Sequence, residues 1–500
     1  MQGMELSRID IWRLRLWVRG WQLAEAVLPR LAPLVARLGA ERASRWLRWP
    51  EQVFKHLAFS CQECGQCVLH YIGMTCPMTC PKQLRNGPCG GVRADGHCEV
   101  YPERPCVWLL AFARAAYTPY TGELRRLNPP VDWRLQGESS WVTYITGRDQ
   151  VVTGHQAPPC YVGTPPPPLT SDSPLERVLQ AGHFAVACEV SPPVGPNLEA
   201  IQRHIDVLRG YADVYNVTDN QGAAVHFSPL VTAILLKQAG LEPVLQLTCR
   251  DRNRLALQSD LLGAAGMGIN TVLALSGDHL RSGDHPQAKP VYDLDAVNLV
   301  RMIRMMNEGV FENGKPIPRR APRFFIGAAE NPNAPPEEAR LLRLAKKATA
   351  GARFIQTQLI YNVPRFRTFM ERVVEAGLHE QVAILAGVGP IRSLRAAEFM
   401  AREVPGLDVP DWIIERIGRY SKKEDQARVG LEIGIELAQE LRTIPGVRGL
   451  HVMAVSWPEA VPPLVQALGL YPRPRLEPVE WRSLSALSLA DVEAWPLEEL

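Results

Sequence analysis

From about residue 173 onward, short apolar runs alternate with amphipathic stretches of helical period. The apolar runs are FAVACEV (184–190), VYNVT (214–218), VLQLTC (244–249) and TVLALSG (271–277), then FFIGA (324–328), FIQTQLI (354–360), VAILAGV (382–388) and LHVMAVS (450–456). Their length and bounding turn residues predict strands. Between them lie helical runs such as NLEAIQRHIDVLRG, DRNRLALQSDLLGAAG, EEARLLRLAKKATAG and FRTFMERVVEAG, and several end in Gly, the favoured helix C-cap. Eight such units in about 290 residues predict an α/β fold of the (β/α)₈ TIM-barrel type, for which about 250 residues is usual. A doubly wound open sheet is the alternative, but no glycine fingerprint follows the first strand.

The pattern divides the chain into five segments. Residues 1–55 are basic and helical in spacing, with Trp12, Trp17, Trp21, Leu28, Leu31, Val35 and Leu38 on the apolar side. Residues 56–120 hold a cysteine cluster. Residues 121–172 are poorly periodic, end in the run Pro165-Pro166-Pro167-Pro168, and read as a stiff linker. Residues 173–475 form the barrel, and 476–500 a C-terminal tail.

Composition narrows the class. The chain has 500 residues, 46% of them apolar, and 55 basic against 52 acidic side chains give a net charge of +3. Such balance argues against a nucleic-acid partner. No apolar run reaches the roughly 18 residues of a membrane span, and Asp and Arg interrupt the start, so no export signal is read and a cytoplasmic location is expected. The first 50 residues hold nine Arg against four acids, so a membrane surface or an acidic protein could meet them. Packing on the cluster domain is the simpler reading.

In a barrel, chemistry sits at the strand C-termini. The polar residues there are Glu189, Thr218 with Asp219 and Asn220, Thr248 with Arg250 and Asp251, Ser276 with Asp278, Glu330 with Asn331, Gln356 and Gln358, and Ser456. Helix capping accounts for Asp251 and for Ser228. Glu189 stands between Cys188 and Val190, just before two prolines, where desolvation would raise its pKa toward general-acid range. Alternation puts Gln356 and Gln358 on the same face as Phe354, toward the barrel interior or rim.

These strand ends resemble methylenetetrahydrofolate reductase, a flavin-containing (β/α)₈ barrel, over about residues 180–473. The carriers are CEVSPP, NVTDN, LTC (247–249), LALSGDH, FIQTQL, VPDW (409–412) and ALGLYPR (467–473). The resemblance implies reduction of 5,10-methylenetetrahydrofolate to 5-methyltetrahydrofolate by hydride from a reduced flavin. It makes Glu189 the catalytic acid. It places Thr218, Gln246, Thr248, Gly277, Asp278 and Lys347 around the cofactor, with Lys347 as a phosphate partner, and Asp278 and Gln358 on the substrate. Gln246 stands where the family has His, Ser276 where it has Arg, Arg340 where it has an acid, and AAENPNA replaces Tyr-Pro-Glu-x-x-His. Several of these losses concern the adenylate end of FAD, so FMN and FAD are both open. A family Gln that meets NADH falls at Ala396, and an Arg that meets folate falls near Trp457.

Eight of the 11 cysteines lie between Cys61 and Cys106. They read CQECGQC (Cys61, Cys64, Cys67), CPMTC (Cys76, Cys80), NGPCGG (Cys89), GHCEV (Cys98) and RPC (Cys106). In a chain without an export signal such a group is read as metal ligands. The opening trio has ferredoxin-like spacing, so one or two [4Fe-4S] clusters come first and zinc second. The segment resembles, over about residues 56–115, the cysteine-rich domain that accompanies the reductase in acetogens. There it implies a ferredoxin-like electron donor in place of NADH. The expectation is thus an oligomeric reductase fed through its cysteines. Two rivals stand beside it: an NAD(P)H-dependent reductase with structural zinc, and a flavin-free barrel that carries a pterin methyl group.

Overall fold

The computed structural model describes residues 6–152, 155–156, 160–165, 171 and 173–474. Eight parallel strands close into a barrel: β1 (Ala185–Val190), β2 (Val214–Val217), β3 (Pro243–Thr248), β4 (Thr271–Leu275), β5 (Phe325–Glu330), β6 (Phe354–Leu359), β7 (Ala383–Val388) and β8 (Val447–Val452). The last strand pairs with the first, Gly449 opposite Ala185 and Val452 opposite Cys188, so the sheet has no free edge. Closure answers the choice between barrel and open sheet. Every apolar run read as a strand becomes one.

Strand alternation makes two cores. Outward residues such as Val186, Cys188, Val217 and Leu245 pack against the surrounding helices. Inward residues Ala185, Ala187, Val214, Val244, Leu273, Phe325, Phe354 and Leu385 fill the lower barrel together with Leu175, Val178 and Leu179. Those last three come from a short helix, Pro174–Gln180, which precedes β1 and stoppers the end where the strands begin. Further up, the inward positions turn polar at Asn216, Gln246, Gln356 and His451. The apolar floor therefore pushes polar chemistry to the strand C-termini.

The N-terminal part contains helices α1 (Arg8–Val27), α2 (Ala32–Leu38), α3 (Ala40–Phe59), α4 (Val107–Ala115) and α5 (Ser140–Ile145). Between α3 and α4 the cysteine segment runs through short turns around Trp108, Ile72 and Val92. The first part of the expected linker is folded. Ser139 and Ser140 donate to the buried Glu51 carboxylate of α3 (2.5 Å each), and Lys55 bridges Glu51 and Ser140 at 2.7 and 2.6 Å. Such polar anchors leave no periodic trace in a sequence, which is why residues 121–149 look like a spacer. Pro166–Pro168 and the tail from residue 475 lie outside the described residues.

This N-terminal unit rests on the C-terminal rim of the barrel. Lys82 donates to the Gly277 carbonyl at 2.7 Å, just past β4, and Asn331 donates to the Gly90 carbonyl at 2.6 Å, just past β5. Asp295 accepts from the Arg85 and Asn86 side of the cysteine segment at 3.1 and 3.0 Å. Trp133 donates to Asp293 at 2.8 Å.

One inward position tests the interior packing. A Cβ added at Gly327 of β5 would run into the Phe354 ring. Gly327→Ala should lower unfolding stability by about 1–3 kcal/mol, the usual cost of overpacking, measured by denaturant titration.

Candidate active site and its cysteine neighbour

Glu189 sits near the top of β1, pointing into the barrel, with 18% of its side chain exposed. Burial alone pushes its carboxyl up to about 7. It hydrogen-bonds to no described residue, and its nearest basic group is His451 Nε2 at 4.0 Å. Burial pushes His451 down to about 3, so that ring is neutral and offers no counter-charge. Asn216 Nδ2 lies 2.6 Å from His451 Nε2 and 2.8 Å from Gln356 Oε1. Amide donation to Nε2 leaves the ring proton on Nδ1, which has no partner. The result is a carboxylic acid whose titration is moved up toward neutral pH, beside a locked, uncharged layer. Sequence reading did not single out His451 or Asn216. Their inward parity on β8 and β2, shared with Gly449 and Val214, is the signal that could have found them.

The β2–β4 rim is built around Asp219. Its buried carboxylate accepts from Thr248 N and Thr248 Oγ1, both at 2.8 Å, and from Arg252 at 2.7 Å. Thr248 is thereby fixed, and its hydroxyl is directed at Asp219. Thr218 Oγ1 bonds the Gln221 side chain. Arg250, buried beneath, pairs with Asp251 at 2.7 Å and donates to the Asn220 and Asp278 carbonyls at 3.1 and 3.4 Å. Asp251 is therefore an ion-pair partner rather than the expected helix cap; Asn253 caps that helix, accepting from Ala256 N at 3.0 Å. Ser228 does cap its helix.

Gly277 has φ +82°, and a Cβ there would lie 3.0 Å from Thr248 Cβ. A side chain is disfavoured on both counts. Beside it, Ser276 Oγ is buried without a partner, and Asp278 is exposed. Gln246 is buried in β3, and Gln358 is half-buried at the top of β6, its Oε1 accepting from Leu359 N at 3.0 Å. Gln356 is the satisfied core amide of the pair.

Lys347 is elsewhere. Its ammonium is fully buried and bonded to Glu330 Oε2 at 2.5 Å and to the Ala329 carbonyl. Arg340 and Arg343 approach the same carboxylate at 3.6 and 3.9 Å. Burial would raise the Glu330 pKa, but the three cations hold it below the usual range. The free phosphate-binding ammonium expected of Lys347 is thus absent, because Glu330 of β5 faces its helix directly. Arg340 continues the network outward, donating to the Cys89 carbonyl at 2.8 Å.

The eight cysteines divide into two sets. Cys61, Cys64, Cys67 and Cys76 line one cavity with Lys55, Gln66 and Arg85. Burial and their neighbours' charge push Cys61 up to about 11 and Cys76 up to about 12. Arg85 Nη1 stands 4.0 Å from Cys64 Sγ, and its Nε is buried without a partner. Nearer the barrel, burial pushes Cys80, Cys89 and Cys106 up in the same way, with Cys98 among their charged neighbours. Cys89 donates to Glu99 at 3.4 Å, and Glu99 pairs with Lys82. Among the described residues, no three Cys, His, Asp or Glu side chains gather closely enough to hold a single metal ion. Cys188 and Cys249 are buried in the barrel wall.

Residues 174–469, more than half of the chain, match the family Methylenetetrahydrofolate reductase. The chain belongs to the methylenetetrahydrofolate reductase family. Residues 43–134 match a second family, Methylene-tetrahydrofolate reductase C terminal, although here they precede the barrel. The relatives are reductases by name, and this chain is an enzyme of that family. It is 25% identical over 309 residues to a probable methylenetetrahydrofolate reductase (NADPH) of Caenorhabditis elegans, a match spanning 59% of this chain and 44% of the nematode protein. It is 26% identical over 302 residues to the 5,10-methylenetetrahydrofolate reductase of Pectobacterium carotovorum, spanning 58% of this chain and 92% of that one. An uncharacterized Clostridium thermocellum protein, described as binding two copies of 5-methyl-5,6,7,8-tetrahydrofolic acid, aligns with 59% of this chain and 99% of its own at 15% identity and TM-score 0.43.

In this reductase-family barrel the pH dependence of stability should report Glu189. Its carboxyl is raised from 4.5 to about 7, so the fold favours the neutral form and loses stability as pH rises through that window. Glu189→Gln should match wild type near the low end of the window. Above it, the variant should be more stable, by up to about 3 kcal/mol, in melting curves taken across pH.

Proposed function

We propose that this enzyme reduces 5,10-methylenetetrahydrofolate to 5-methyltetrahydrofolate, with a flavin in the barrel mouth and electrons entering through the cysteine sets. The observation that carries the reading is Glu189, a desolvated acid without a counter-charge at the top of β1 in a barrel of this family. A bound reduced flavin supplies the hydride. Glu189 delivers the proton to a bridge nitrogen of the folate, which opens the ring to a methylene iminium. The exposed Asp278 carboxylate offers that cation a stabilising charge, and Gln358 offers the pterin an amide. The neutral His451–Asn216–Gln356 layer holds the floor of the site without competing for the proton.

The residues on hand suit a flavin. Gly277 gives close backbone approach, Ser276 Oγ lacks a partner, and Gln246 and Thr218 complete the wall. Thr248 would act through its backbone and methyl group, since its hydroxyl is held by Asp219. Lys347, locked on Glu330, would support the strand end rather than meet the cofactor. The losses at the adenylate end favour FMN over FAD.

Two four-thiol sets, each beside buried cations, suit thiolate-ligated iron–sulfur clusters, whose net charge is negative. Lys55 and Arg85 serve the outer set, and Lys82 and Arg340 the inner. A cluster is a larger body than one ion and takes its ligands from farther apart. The inner set touches the rim through Lys82 and Arg340, so it would be the one that hands electrons to the barrel. A ferredoxin-like protein is the proposed donor.

Glu189→Gln should retain flavin and lower folate turnover by roughly two to four orders of magnitude in a viologen-coupled assay. A loss below about threefold would assign the acid elsewhere. Cys64→Ala should remove cluster iron, measured after anaerobic purification, and abolish viologen-driven turnover. Flavin already reduced by dithionite should still react once in that variant. A wild-type protein replete in zinc, free of iron, and rapidly reduced by NADH would favour the nicotinamide-dependent alternative.

A further inference from the structure

The N-terminal helices carry two kinds of apolar surface. On α1, Leu14 and Val18 face inward and are buried against Leu69 and Met74, which accounts for folding. A second stripe on the same helix points outward: Ile9, Trp12, Leu16, Leu23 and Val27, spaced so that all fall on one side. On α3 the exposed residues Trp46, Trp49, Val53 and Leu57 repeat the pattern, and Leu34 and Leu38 do so on α2. Trp12, Trp46 and Trp49 are 65%, 83% and 73% exposed. Nothing in the fold, the barrel chemistry or the cysteine sets uses these side chains.

The charge around them is mostly positive, nine arginines against four acids in the first 50 residues, with Glu25 and Glu41 the exposed acids. All nine arginines of the first 50 residues are exposed: Arg8, Arg13, Arg15, Arg19, Arg30, Arg37, Arg42, Arg45 and Arg48. Among the described residues only Arg48 makes an ion pair, with Glu63 at 3.2 Å. A second copy of the chain would bring these charges against their own kind. The exposed side chains stand on the outer backs of helices and line neither the cavity of the first four cysteines nor the one beside Asp295. A surface that is soft, broad and anionic suits them. Tryptophan sits well at the level of lipid headgroups, leucine and isoleucine just below, and arginine beside phosphate. No helix of the described residues is long and apolar enough to cross a membrane, so contact would be peripheral.

We propose that α1–α3 seat the enzyme on the surface of an anionic phospholipid bilayer, with Trp12, Trp46 and Trp49 inserted at the headgroup level. This attachment does not depend on the reductase reading, because none of its residues belongs to the barrel or to the cysteine sets.

Sedimentation of the full chain with vesicles tests it. Phosphatidylcholine–phosphatidylglycerol vesicles should carry the protein down at low salt, pure phosphatidylcholine vesicles far less, and added salt should release it. The triple variant Trp12→Ala, Trp46→Ala, Trp49→Ala should bind at least about tenfold more weakly. Arg13→Glu, Arg15→Glu and Arg19→Glu should each cost roughly fivefold or more. All six positions are exposed, so melting temperatures should stay at the wild-type value and show that the fold is intact. Failure to bind anionic vesicles at low salt overturns the proposal. Lipid-free dimers abolished by the tryptophan variant would assign the face to a second copy. Retention on polyglutamate without vesicle binding would assign it to an acidic protein.

Discussion

Charge withdrawn from water has to be met by opposite charge or kept neutral, and this protein uses the two solutions in different places. Inside the barrel, no described residue brings a cation to Glu189: His451 is neutral and the neighbouring amides pair with each other. Around the cysteines, cations are gathered: Lys55, Arg85, Lys82 and Arg340 all lie beside thiols. The same desolvation that keeps a carboxyl protonated in one place requires compensating ammonium and guanidinium groups in the other. The separation keeps the uncharged surroundings of Glu189 apart from the cationic surroundings of the thiols.

Much of the barrel could be read from period alone. Strands alternate and helices do not, so the eight apolar runs fell within a few residues of the observed strands, and parity put Gln356 and Gln358 on the inner side. Glu189 was legible because its neighbours announced its desolvation. What could not be read were contacts between distant segments. Glu51 with Ser139 and Ser140 turned an apparent spacer into structure. Arg250 drew Asp251 away from a capping role. Glu330 captured Lys347 across a strand–helix gap that no spacing rule reports. Each of these is a pairing of charge or polarity whose partner is chosen by topology.

The cysteine segment shows the opposite balance. Its eight cysteines were plain in the sequence, but spacing left their partition open. Chain order turns out to be spatial order: the first four thiols share the outer cavity, and the last four lie toward the rim. Lys82 sits at the join, paired with Glu99 and bonded to Gly277. A local motif therefore acquires its meaning only from the surface on which it is set.

The short helix Pro174–Gln180 gives the barrel a closed bottom. Leu175, Val178 and Leu179 meet a ring of Ala, Val, Leu and Phe side chains, and the buried Ser173 and Thr271 hydroxyls at the same end bond each other at 2.7 Å. Glu189 opens toward the mouth at the strand C-termini, and the N-terminal unit stands over one side of that mouth. Proton exchange at its carboxyl and entry of a ligand therefore share one side of the fold. The plug, a helix at the far end of the barrel from Glu189, thereby gives the mouth its importance.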